Sequence, residues 1–179
     1  MLSAFQSVFR KRPTKPARDA YIALVAQSRN RFFFTTLGVP DTLDGRFETI
    51  VLHAFLLQYR LRQDAPEFAR FLSELFFEDM DASLRELGVG DSGVRHRIKR
   101  MGKGYHGRLQ AYADGLTHAD NEAMKSALAR NLYGTVADGD PKQLEAAANY
   151  LRRMHALLGA TDTTVLISGD YAWPEPADR

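Results

Sequence analysis

The chain contains no cysteine. That absence excludes disulfide frameworks, thiol nucleophiles, thiolate-bound metals and cysteine-attached haem. It also lacks a charge excess: the net charge is +2, so overall charge points to no class of partner. No apolar run approaches the ~20 residues that cross a bilayer as a helix. There is no G-x-S-x-G elbow, no P-loop and no dinucleotide fingerprint. His53, His96, His106, His118 and His155 include no pair four apart, the spacing of the helical zinc motif. Nothing here suggests catalytic residues, a metal or a cofactor. The opening MLSAFQSVFRKR does not read as a secretory signal, because its basic cluster follows a short apolar part instead of preceding it.

What is present is helical periodicity. At 179 residues and 45% hydrophobic content the chain suits one domain with a real core. Leu2, Phe5 and Phe9 lie at helical spacing and predict a short amphipathic helix with a cationic end, after which Pro13 and Pro16 make a linker. Residues 19–31 form the next helical candidate, extended by Phe32, Phe33 and Phe34. Asp41 or Thr42 can cap a helix that runs to about Arg62. Asp64 reads as the cap of a helix that uses Phe68 through Leu87 and stops at Gly88. From Asp91, apolar residues recur at steps of three and four as far as Leu116. Gly102, Gly104 and Gly107 interrupt that pattern and predict a kink or a close neighbour. Residues 121–133 and 141–158 supply two more amphipathic helices. Residues 163–167 read as a strand-like extended tail, and 171–179 as a fraying end. The expected fold is all-α, a single irregular bundle of about seven helices. Its parts are an amphipathic basic segment and linker at 1–17, a helical domain at 18–160 and an extended tail at 161–179.

Charge is distributed in blocks. Residues 64–91 carry eight acids against Arg70 and Arg85, and residues 92–108 carry six Lys or Arg and no acid. Arg95, Lys99 and Lys103 follow one another at i+4. Such a run is either a solvated face paired with the preceding acidic helix, or a dock for a ribosome, RNA or acidic lipid. Asp79 and Asp81 could in principle bind a hard cation, but i and i+2 diverge on a helix, and Asp81 with Arg85 has ordinary ion-pair spacing. His53, on an apolar helix, fits a hydrogen-bonded core histidine. The first segment has two readings: Leu2, Phe5 and Phe9 dock on the bundle, or they lie on a membrane while Arg10, Lys11 and Arg12 meet anionic lipid.

Three stretches carry a resemblance. The first is Gly38-Val39-Pro40-Asp41-Thr42-Leu43-Asp44-Gly45-Arg46-Phe47-Glu48 with Leu52-His53. The second is Asp79-Met80-Asp81, then Leu84-Arg85-Glu86-Leu87-Gly88-Val89-Gly90-Asp91, continued by Lys99, Met101, Tyr105, Gly107 and Arg108. The third is Ala127-Leu128-Ala129-Arg130-Asn131-Leu132-Tyr133. In this order, over roughly residues 20–155, they resemble the ubiquinol–cytochrome c chaperone family. The resemblance implies a non-enzymatic assembly factor that binds newly made cytochrome b and promotes assembly of the ubiquinol-cytochrome c reductase complex. It also implies a ribosome contact. The chain has no long presequence of the mitochondrial kind, so the expected setting is bacterial: the cytoplasm, or the cytoplasmic face of the inner membrane as a peripheral protein. The resemblance nominates Arg46, Phe47 and His53 on one surface, and Asp79, Asp81, Arg85, Arg95, Lys99, Tyr105 and Arg108 on another. A charged network among Arg46, Asp79, Asp81 and Arg85 is expected. The alternative is a nucleic-acid or ribosome-binding module that uses the basic helix 95–108.

Overall fold

The structure, a computed structural model, describes residues 12–135 and 139–176. Eight helical segments and no strand occur among the described residues, so the expected all-α bundle is what the chain forms. The N-terminal segment with Leu2, Phe5, Phe9, Arg10 and Lys11 lies outside the described residues; Arg12 is exposed.

α1 (Lys15–Ser28) begins earlier than the two prolines suggest. Thr14 caps it, and Pro16 sits in the first turn, where its missing N–H costs nothing. Asn30 caps the short α2 (Arg31–Thr35), which drives Phe33 into the core. α3 (Leu43–Leu61) is the hub and packs on α1, α4, α5 and α7. Every residue from Glu48 to Gln58 is buried, as befits a helix enclosed on all sides. Thr42, one of the two expected caps, accepts from the Gly45 N–H at 3.1 Å. Gly45 is not a turn residue. It lies inside α3, and a Cβ there would stand 1.9 Å from the Pro40 carbonyl oxygen.

α4 (Pro66–Glu86) starts without a side-chain cap; Ala65, not Asp64, stands at the N-cap. Asp64 instead joins Arg60 and accepts from the Thr163 hydroxyl at 3.0 Å. At the other end Gly88 adopts φ 79°, with Gly88 N–H bonded to Arg85 and Val89 N–H to Leu84. That is a Schellman stop, and it turns the chain into α5 (Asp91–Thr117). α5 is continuous through its glycines. α6 (Glu122–Arg130) and α7 (Pro141–Ala160) complete the bundle, and Arg152 of α7 caps the C-terminal end of α5 through the Gly115 and His118 carbonyls.

The tail departs from expectation. Residues 163–166 form α8 (Thr163–Leu166), not an extended strand, because the Asp162 side chain caps the Thr164 N–H. Residues 171–176 do not fray among themselves. They strap across the bundle, with Trp173 edge-on to His53 at 5.3 Å and the Pro174 carbonyl accepting from Gln27 at 3.0 Å.

Candidate functional site

The first turns of α3, the end of α4, the first half of α5 and the segment after α6 enclose a groove of about 510 Å³. Leu43, Phe47, Met80, Leu84, Leu87, Met101 and Leu132 supply its apolar lining. Leu43 (72% exposed) and Leu87 (65%) stand at its edge in solvent. Phe47 is held by Phe76 at 5.7 Å, and Phe76 in turn stacks on Tyr105 at 4.7 Å. The floor is therefore the outer layer of the aromatic core.

One ion pair crosses the groove. The Arg108 Nε donates to both Glu48 carboxylate oxygens, at 2.9 and 2.7 Å, and Nη2 adds a third contact. Burial pushes the Glu48 carboxyl above its ordinary value, while Arg108 works against that push. Gly104 leaves room beside the outer end of the Arg108 guanidinium. A Cβ there would lie 2.7 Å from Arg108 Nη1. Gly102 faces Phe77 more loosely, and Gly107 faces open space. Arg97, Arg100 and Arg130 line the groove too, with no ion pair among the described residues.

The expected network of Arg46, Asp79, Asp81 and Arg85 does not form as one unit. Arg46 pairs with Asp41 at 2.7 Å, five residues back. Asp79 accepts from the Tyr21 hydroxyl at 2.9 Å and fastens α1 to α4. Only Asp81 and Arg85 meet, at 2.6 Å, and Arg85 reaches on to Asp91. The Asp81 and Asp91 contacts hold the Arg85 guanidinium still further above its ordinary value. This triad buttresses the α4–α5 turn.

His53 and Tyr105 lie inside. His53 is fully buried, with Nδ1 2.7 Å from the Thr49 carbonyl and Nε2 2.8 Å from the Tyr150 hydroxyl. Burial pulls its pKa down to about 4, so the ring is neutral near pH 7; Nδ1, which faces a carbonyl, carries the proton, and Nε2 then accepts from the Tyr150 hydroxyl. Tyr105 is buried with its hydroxyl bonded to Gln58, whose carbonyl accepts from Ser73 at 2.9 Å. Tyr105 supports the groove from beneath through Phe76 and Phe47, while His53 lies under Trp173 on the side of the C-terminal strap. Arg95 and Lys99 stand on the solvent face of α5.

The groove brings together what the sequence separates. Leu43, Phe47 and Glu48 come from the first motif stretch; Met80, Leu84, Leu87, Met101 and Arg108 from the second; Arg130, Asn131 and Leu132 from the third. Singling out charged residues missed most of these. The signal was in the stretches themselves, whose apolar members Leu43, Leu84 and Leu87 are more exposed than periodicity alone implies.

Comparison with known proteins gives a consistent picture. The family described as ubiquinol-cytochrome C chaperone matches residues 35–173. The chain is 25% identical over 145 residues to "Ubiquinol-cytochrome-c reductase complex assembly factor 1" of Xenopus laevis, covering 79% of this chain and 72% of the relative. It is 24% identical over 157 residues to the Mus musculus assembly factor of that description, covering 86% of this chain and 52% of that one. To "Protein CBP3, mitochondrial" of Saccharomyces cerevisiae it is 24% identical, over 82% of this chain and 45% of the yeast protein. The chain thus spans about half the length of the mouse and yeast relatives. Among solved structures, the Cbp3 homolog from Brucella abortus superposes with a TM-score of 0.79 and 32% identity, covering 90% of each chain.

Proposed function

The chain belongs to the ubiquinol-cytochrome C chaperone family, and from that premise we propose that it is an assembly chaperone for the ubiquinol-cytochrome c reductase complex whose client is newly made cytochrome b. One observation carries the reading of the site: three stretches distant in sequence meet at a single groove, apolar on its floor and edged by exposed leucines. Exposed apolar surface is retained on a folded protein chiefly where something binds it. A volume of about 510 Å³ takes a few large side chains, so the groove holds one apolar stretch of a client rather than a folded domain. Arg97, Arg100 and Arg130 then face acidic or carboxyl-terminal groups flanking that stretch. The protein acts by holding, with no cofactor. In this reading it meets its client as it is made, through a ribosome contact, on the cytoplasmic face of the inner membrane.

The test is photo-crosslinking in cells. A photoreactive residue at Leu87, on the groove edge, is expected to capture cytochrome b; the same residue at Leu157, exposed on α7, is not. Equal capture from both positions would reject the groove. Loss of the gene product is expected to lower assembled bc complex and spare the other respiratory complexes. Normal bc assembly in that strain would overturn the reading as a whole.

A further inference from the structure

The solvent face of α5 beside the groove has a composition that client binding does not explain. Arg95, His96, Lys99, Arg100 and Lys103 are all exposed there, within nine consecutive residues and with no acid among them. Projected at 100° per residue they fall on one side of the helix, opposite the buried Val94 and Tyr105. None of the four Lys or Arg residues has an ion pair among the described residues. The nearest acids, Asp81 and Asp91, are engaged by Arg85. The acidic helix before it closes no ion pair onto this face among the described residues: Asp79 is engaged by Tyr21, Glu78 by Arg18, Glu74 by Arg70 and Asp81 by Arg85, while Asp81 and Asp91 line the same hollow as Arg95 and Lys99 without bonding to them. What remains is a net cationic strip, without ion pairs of its own among the described residues, roughly 12 Å long at 1.5 Å per residue.

Two features decide which polyanion fits. Apart from the small imidazole of His96, the strip exposes no aromatic ring, and it offers no Phe, Tyr or Trp, since Tyr105 is buried against Phe76; single-stranded nucleic acid uses such large rings as stacking platforms. The strip also shares Arg100 with the groove, whose edge exposes Leu43 and Leu87. Cations beside protruding leucines match the boundary of an anionic bilayer, where headgroups meet acyl chains. We propose that the N-terminal half of α5 is a docking strip for an anionic phospholipid surface, and that it sets the mouth of the groove against the bilayer. No described helix is long and apolar enough to cross a membrane, so the contact is peripheral.

The experiment is co-sedimentation of the full chain with phosphatidylglycerol/phosphatidylcholine vesicles and with phosphatidylcholine alone. Wild type is expected to sediment with the anionic vesicles, to be released by salt as charges are screened, and to ignore the neutral ones. Each surface cation contributes about a fivefold factor, so neutralising three of them in R95Q/K99Q/K103Q is expected to lower affinity by on the order of a hundredfold. R95E/K99E/K103E adds repulsion to that loss and is expected to bind more weakly still, while the glutamine variant adds no repulsion that could disturb the fold. Circular dichroism should match wild type for both. None of the three residues lines the groove, so a failed lipid result leaves the client reading untouched. The proposal is overturned if wild type ignores anionic vesicles, or if folded glutamine and glutamate variants bind them as wild type does. It is equally overturned if the strip binds ribosomal RNA in a salt-sensitive way but no vesicle; that outcome would favour a nucleic-acid partner.

Discussion

At the residue scale, two buried polar groups have consequences that can be measured. Glu48 is 6% exposed and depends on Arg108 for its charge. Arg108→Ala leaves a buried carboxylate without its partner, and unfolding stability is expected to fall by about 3 kcal/mol. Urea denaturation reads this. Glu48→Gln combined with Arg108→Ala should cost clearly less than the sum of the two singles, since the orphaned charge is gone. His53 acts in the opposite electrostatic sense. Its folded pKa is pulled down by burial to about 4, against an unfolded value near 6.5. Between those values the unfolded chain binds a proton that the folded chain refuses. His53 therefore contributes full stability above pH 6.5 and progressively less as the pH falls to about 4. From pH 7 to 5 the loss is expected to be about 2 kcal/mol, and His53→Gln should show that much less acid dependence. Equal slopes for the two proteins would place the acid sensitivity elsewhere.

At the scale of elements, the long helices were legible because each carries a 3.6-residue apolar period, and their ends were legible wherever a local signal sufficed. Gly88 reads as a stop from sequence because a positive φ there needs only its own turn. Asp64 misleads for a non-local reason: Arg60 and Thr163 compete for its carboxylate, and the second of these is 99 residues away. Residues 163–167 look like a strand because they are rich in β-branched side chains, yet the Asp162 cap and the Arg60 contacts to Thr161 and Thr163 fold them into a helical turn. The site was legible only in part. Its stretches could be recognised, but their convergence depends on how α3, α4, α5 and α6 pack. Three glycines test this account. Gly45→Ala would drive a methyl group into the Pro40 carbonyl and is expected to cost about 2 kcal/mol or more. Gly88→Ala meets no atom but is strained by its φ, at about 1 kcal/mol. Gly107→Ala, in open space within α5, is expected to stabilise the protein by up to about 1 kcal/mol. Thermal melts of the three should rank in that order. A stabilised Gly107→Ala that had lost client capture would show that a partner approaches the helix there.

At the scale of the whole molecule, the groove and the cationic strip lie on one side, and the C-terminal strap closes another. The strap escaped sequence reasoning because only two large apolar residues anchor it, Tyr171 and Trp173, which meet at 5.8 Å. Two anchors suffice because the surface beneath is already aromatic: Phe33, His53 and Tyr150 lie within 6 Å of one another by ring centroid. The Gln27 and Arg153 contacts to the Pro174 and Pro176 carbonyls then satisfy the strap's backbone. If the strap is part of the cooperative unit, the chain's single tryptophan and the helical circular dichroism signal should report the same urea midpoint. A tryptophan transition at lower urea would mark the strap as a separately melting element. Truncation after Asp170 carries the argument further. It removes the burial of Trp173 and two hydrogen bonds, and is expected to lower stability at neutral pH by about 2–4 kcal/mol. It also uncovers His53, whose folded pKa then moves back up toward its ordinary value. The gap between folded and unfolded pKa narrows, so the truncated chain loses less stability between pH 7 and 5 than the intact one. A truncated protein with unchanged neutral stability, or with the same acid slope as the intact chain, would mean that the strap neither holds the fold together nor keeps His53 dry.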